Sequence, residues 1–185
     1  ATPECSSPTE LVRYVIAGDR LLEGVVAAMR AAWPSTEEIV LTKCNVDYSG
    51  GRATWGAHES YLHRARPTSL PPFLVPHLVT RPIYSGAGGF DNRGPVPRFV
   101  ISPRAFHLES VVSGDSTRQR GIYHSKNEPL ASRGYNRLHV TFGEGLSSQL
   151  SNWLKVATTA IVVRLAEEGI GPGDAVALSD PLQAA

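Results

Sequence analysis

Apolar residues recur at helical spacing in two stretches of the chain and alternate in a third. Leu11, Val12 and Val15, then Leu21, Leu22, Val25, Val26 and Met29, keep a helical rhythm. Ser7-Pro8-Thr9-Glu10 opens that run with a capping serine, a proline suited to the first turn and a glutamate that completes a capping box. Gly18 interrupts the rhythm, so two helices are predicted, the second ending at Pro34. Leu146, Leu150, Leu154, Ala157, Ile161 and Leu165 mark a long amphipathic helix that stops at Gly169. Over residues 135–142 the period changes to two: Leu138, Val140 and Phe142 share one face, and Arg137, His139 and Thr141 the other. Strands are also predicted over 38–44 and 55–62, joined as a hairpin by the turn-rich Asp47-Tyr-Ser-Gly-Gly51. A short helix over 71–83, a loop over 86–97 and a strand from 98 to 101 follow. His107 and Glu109 flank Leu108 on a further strand. The fold class is α+β, an antiparallel sheet with helices packed on one side.

Composition narrows this picture mainly by exclusion. The 185 residues are 42% hydrophobic and 19% charged, ordinary globular usage for one domain or part of a larger one. A formal net charge of +1 gives no electrostatic footprint for nucleic acid or an anionic membrane. Cys5 and Cys44 are too few for a disulfide framework, so a reducing, cytoplasmic setting is the default. No apolar run reaches the roughly 20 residues of a membrane-spanning helix. No phosphate-binding G-x-x-x-x-G-K-[ST] loop and no G-x-S-x-G elbow is present.

The chemistry-bearing residues fall in two windows. Arg118, Arg120 and Arg137 are candidate anion clamps, because guanidinium groups match phosphate and carboxylate oxygens in pairs. Surface ion pairs with Asp115, Glu109 or Glu128 are the bland alternative. His58 shares a strand face with Ser60 and with Gly56, whose missing side chain leaves room for a ligand. His58 and His139, both on polar strand faces, can reach one site, and neutral imidazole ligates Mn or Zn and can join carboxylates around Mg. His63, His77 and His124 have no such support and read as exposed or structural.

An ordered set of short motifs then resembles one known family. It comprises Thr2-Pro-Glu-Cys5, Cys44-Asn-Val-Asp-Tyr48, Gly56-Ala-His-Glu-Ser-Tyr-Leu62, Leu78-Val-Thr-Arg81 and Gly86-Ala-Gly88. It continues with Ile101-Ser-Pro-Arg-Ala105, Ser116-Thr-Arg-Gln-Arg120, Asn127-Glu-Pro129, Tyr135-Asn-Arg-Leu-His-Val140 and Asn152-Trp-Leu-Lys155. Together they resemble the Pup ligase and Pup deamidase/depupylase family, which has a glutamine synthetase-like carboxylate-amine ligase fold. The resemblance implies ATP with Mg or Mn as cofactors. It implies Pup, a small disordered protein tag, and lysine-bearing proteins as partners. Ligases of this kind join a Pup side-chain carboxyl to a lysine; deamidase/depupylases cleave the same kind of bond. By the matching motifs, His58 and His139 are metal-site residues, Arg118, Arg120 and Arg137 face phosphate, and Glu59 and Glu128 contact substrate. The family's metal-binding glutamates and catalytic aspartate would lie upstream of Ala1, and a Pup-binding region beyond Ala185. Residues 1–185 are therefore expected to be a partial domain with little turnover alone. His124-Ser-Lys-Asn departs from the family's Asn-Thr-Arg-Asp. A glutamate–cysteine type of small-molecule ligase, or a non-catalytic module of the same fold, are the other readings.

Overall fold

The computed structural model describes residues 1–34, 38–49, 53–114, 119–124, 131 and 134–185. Helix α1 (Pro8–Ala32) starts as the capping pattern predicts. The Ser7 hydroxyl accepts the Glu10 N–H at 3.2 Å, and Glu10 reaches back to the Ser6 N–H at 2.7 Å. It is one helix, not two. A glycine inside a helix costs about 1 kcal/mol against alanine but removes no backbone hydrogen bond, so Gly18 weakens α1 without breaking it.

The segment 38–44 is not a strand. It is tied to α1 instead, by Arg30 Nη2 donating to the Ile39 carbonyl at 2.9 Å and by Lys43 Nζ on Asp19 Oδ2 at 2.8 Å. The expected hairpin shrinks to one isolated bridge between Val46 and Thr54. Strand β1 starts later than the alternation suggested, at Glu59–His63, leaving His58 just outside it.

Beyond β1 come α2 (Pro71–Thr80), α3 (Pro82–Ser85) and a small hairpin of β2 (Gly89–Asp91) with β3 (Arg98–Val100). A 3-10 turn at Pro103–His107 replaces part of the strand expected around Leu108, and β4 begins only at Ser110–Ser113. Strands β5 (Gly121–His124) and β6 (Asn136–Val140) precede α4 (Gln149–Glu167) and a short α5 (Pro181–Ala184). The Ser148 hydroxyl caps α4 at Ser151 N–H, and Gly169 at φ +70° follows its end.

The main sheet has the order β1-β6-β5-β4. β1/β6 and β6/β5 are antiparallel, but β4/β5 run parallel, so the sheet is mixed and not wholly antiparallel. Alternation reports which face a side chain takes; it carries no information on strand direction, which is why this could not be read from sequence.

Register decides what each face presents. Ser60 lies opposite His139, Leu62 opposite Arg137, and His124 opposite His139 from the other side. On the second face, Leu138, Val140 and Phe142 pack with Leu74 and Leu78 of α2 and Val163 and Ala166 of α4. Each such fully buried aliphatic or aromatic side chain contributes about 1.5–3 kcal/mol of transfer free energy. The helices thus cover one face, and the polar alternation of β1 and β6 is left for the other.

Candidate functional site

The uncovered face gathers histidines in a row. His58 Nδ1 and His139 Nε2 lie 3.2 Å apart, so one ring donates and the other accepts. The ring of His124 stands 5.6 Å from that of His139 on its far side. Burial, then the charges of Arg104 and His124, hold the His58 imidazole below the usual histidine range, against the opposing pull of Glu59. That shift favours the neutral imidazole, the form that has a lone pair to give.

His124 is buried, which excludes the exposed reading and fits the structural one. Its Nδ1 lies 2.9 Å from the Ser113 carbonyl. A carbonyl only accepts, so Nδ1 carries a proton, and Nε2 has no partner among the described residues.

Arg137 lies on the same face and donates to Ser60 Oγ through Nε at 3.1 Å and Nη2 at 2.8 Å. Arg120 immediately precedes β5. Its carbonyl accepts the Glu109 N–H at 2.8 Å, and its guanidinium comes within 4.0 Å of Glu109, the surface pair foreseen as the bland alternative. Arg118 and Glu128, both singled out from the sequence, lie outside the described residues.

Glu59, expected from its motif as a substrate contact, has its carboxylate in a buried ion pair. It points to the helix side, where Arg81 binds both its oxygens, at 2.8 and 2.9 Å, and the Tyr61 hydroxyl donates to Oε2. Arg81 is 1% exposed and also donates to Thr159 Oγ1 at 3.0 Å and to the Phe142 carbonyl. Arg81 and Tyr61 together take three of the roughly four acceptor positions of this carboxylate, and Arg81 is its counter-charge.

The space beside Gly56 is not open for a ligand either. A Cβ there would come within 2.7 Å of Arg104 Nη2, so the missing side chain admits an arginine. Arg104, in the 3-10 turn, donates to Thr54 Oγ1 at 2.7 Å and to the Thr141 carbonyl at 3.1 Å. Its backbone is fixed by Glu144, which accepts from Arg104 N–H at 3.2 Å, Ser102 Oγ at 2.9 Å and Ala87 N–H at 2.6 Å. Sequence reasoning missed Arg104, His124, Arg81 and Glu144. Each did sit in or beside a quoted motif, but only tertiary packing reveals what it touches.

As a metal centre the face is incomplete. Among the described residues no group of three or more His, Cys, Asp or Glu is arranged to hold an ion. The nearest carboxylates, Glu59 and Glu144, are taken up by Arg81 and by backbone and hydroxyl donors. What the described residues supply is a pair of imidazole nitrogens whose separation suits neighbouring positions of one coordination shell, with oxygens still required from elsewhere.

Comparison with known proteins agrees with the motif order. The sequence model of the Pup-ligase protein family matches residues 1–185. A Pup deamidase/depupylase of Mycolicibacterium smegmatis is 36% identical over 189 residues, covering 100% of this chain and 37% of that protein. A Pup–protein ligase of Acidimicrobium ferrooxidans is 38% identical over 192 residues, covering 100% of this chain and 41% of that protein. The chain thus spans about two fifths of the length of the curated relatives it matches. Among solved structures, the Pup ligase PafA in complex with ADP superimposes with a TM-score of 0.80 at 31% identity, covering 92% of this chain and 39% of that one. The complex between Pup and its ligase PafA gives a TM-score of 0.81 at 31% identity, covering 98% of this chain and 37% of that one.

Proposed function

The chain belongs to the Pup-ligase family, and on that premise we propose that it forms part of a catalytic domain that uses ATP to act on the side-chain carboxyl or isopeptide bond of Pup. The reading covers both directions, joining Pup to a protein lysine or releasing it, because relatives of both kinds match at 36% and 38% identity. The single observation that carries it is the His58–His139 pair beside Arg137 on the sheet face opposite the helices. The PafA structure with ADP supports a nucleotide as a ligand of this fold.

In this proposal His58 and His139 would hold Mg or Mn together with phosphate oxygens, and the ion when bound would neutralise charge on those oxygens. The chain's own part is positioning. Register fixes His139, Arg137 is steadied by Ser60, and Arg120 adds cationic charge just before β5. A carboxyl group brought to this face meets cations rather than carboxylates, which favours charge build-up on its oxygens. Protein lysines and Pup are the proposed partners, and the cytoplasm the proposed setting. No helix among the described residues is long and apolar enough to cross a membrane.

The test is a chimera in which residues 1–185 replace the matching segment of the Acidimicrobium ferrooxidans ligase. It is incubated with ATP, Mg, an acceptor protein and Pup ending in glutamate or in glutamine. Conjugate from the glutamate form assigns ligation; ammonia release from the glutamine form, or cleavage of a conjugate, assigns the reverse. His58→Ala and His139→Ala are each expected to lower the rate at least tenfold. A folded chimera that binds ATP and does neither reaction would sink the proposal.

A further inference from the structure

Arg104 is a cation without a counter-ion. It is 7% exposed, and among the described residues it enters no ion pair. Its two terminal nitrogens donate to neutral oxygens, on Thr54 and Thr141, and its Nε has no partner. Glu144 is the nearby carboxylate, but it accepts the backbone N–H of Arg104, not the guanidinium. A buried, unpaired charge costs several kcal/mol unless something of opposite sign joins it. The environment adds to that cost: burial pushes the Arg104 guanidinium down from its ordinary range, Glu144 opposes, and the like charge of Arg120 pushes it further down.

The group it faces is not apolar core. The slot at Gly56 lets Arg104 lie against the His58 ring side, and Thr141 shares the polar face with His139 and Arg137. We propose that the Arg104 guanidinium, whose terminal nitrogens each keep a second N–H, binds one anionic oxygen group of the reactants at the edge of the histidine row. The shared chemistry is that of an oxyanion: a phosphate of a nucleotide, or the carboxylate of the protein tag. The inference rests on the proposed function only for the identity of that anion. The unpaired guanidinium itself is a property of the fold.

The test titrates the protein with pyrophosphate and, separately, with glutarate, by calorimetry, comparing wild type with Arg104→Gln, Arg104→Lys and Thr54→Val. Arg104→Gln is expected to bind the preferred probe roughly tenfold to a hundredfold more weakly, the loss of one charge-assisted hydrogen bond. Arg104→Lys keeps the charge and is expected to fall between the two. Thr54→Val removes only a structural partner and is expected to bind like wild type. Thermal unfolding gives the readout that a structural role would reverse: without anion, Arg104→Gln is expected to melt no lower than wild type, because it removes an uncompensated charge. Loss confined to pyrophosphate and ATP, with adenosine unaffected, assigns the anion to the nucleotide; loss confined to glutarate and Pup ending in glutamate assigns it to the tag. A wild type that binds pyrophosphate but not ATP would keep this site and remove the nucleotide reading. If neither probe binds wild type, or the Arg104→Gln and Arg104→Lys variants both bind as tightly, the inference is wrong.

Discussion

The two faces of the β1–β6 pair hold charge in opposite ways. On the helix side, Glu59 and Arg81 meet oxygen to nitrogen, Tyr61 and Thr159 take the remaining contacts, and the pair is nearly solvent-free. On the other side, Arg104 keeps an unpartnered Nε and His124 an unpartnered Nε2, both buried. Around Glu59 and Arg81 the helix side has closed its polar chemistry on itself, although His63 Nδ1 at the far end of β1 is also buried without a partner among the described residues; the other side has left donor and acceptor capacity unused beside the histidine row. A saturated buried network fixes a fold, whereas an unsaturated one carries a standing cost that only a ligand removes. The difference shows which ionisable residues of this sheet hold it in shape and which are set to meet something else.

Removing one partner on the closed face should give the largest effect. Arg81→Ala leaves Glu59 buried without a counter-charge and is expected to cost about 3–5 kcal/mol in urea unfolding. The double variant Arg81→Met with Glu59→Leu is expected to recover most of that loss. If the double variant is as unstable as the single one, the closed face is held by more than the mutual need of the pair, and the contrast drawn above weakens.

A smaller effect is expected from pH. The Nε2 of His77 lies 3.0 Å from Thr159 Oγ1, on the hydroxyl that Arg81 also reaches, and burial holds its pKa at about 4. A histidine with a folded pKa below its unfolded value binds its proton more readily when unfolded. Its contribution is present above about 6.5 and is lost as pH falls towards about 4. The urea midpoint should therefore drop across that window, and less so in His77→Gln. Equal slopes in both proteins would mean that the closed face does not feel this proton.

Smallest of all should be Ser60→Ala on the open face. The hydroxyl is exposed and holds a half-buried Arg137, so stability should change by no more than about 0.5 kcal/mol. Any loss should appear instead as weaker ATP binding in a fluorescence titration. A large fall in stability with unchanged binding would place Ser60 with the closed face.

Much of this was legible in the chain, for identifiable reasons. The alternation Arg137-Leu-His139-Val140 set the two faces of β6 correctly, since period two is a direct consequence of strand geometry. The Ser7–Glu10 capping box and the run from Leu150 to Leu165 gave α1 and α4, because both signals are local. Strand β5 was not legible: Gly121-Ile-Tyr-His124 is too short to display a period, and with it went the placement of His124 beside His139. Arg81 reads locally as a basic residue at a helix end, where a surface role is the ordinary case. Its burial depends on Glu59 arriving from β1, which no local pattern announces. Arg104 was hidden for a similar reason, since its slot is the absent side chain of Gly56, far away in sequence.

Gly143 shows where the two faces are joined. A Cβ on it would stand 2.6 Å from the Ala57 carbonyl and 2.9 Å from Glu59 Oε1, while its own carbonyl accepts the Ala57 N–H at 3.0 Å. Ala57 and Glu59 are the two neighbours of His58. Every codon change that alters this glycine adds at least that one carbon, so no replacement is mild. In a saturation mutagenesis screen scored by activity, Gly143 would rank with the histidines although it touches no reactant. Tolerance maps of this protein therefore need a second score, for abundance, before sensitivity is equated with contact.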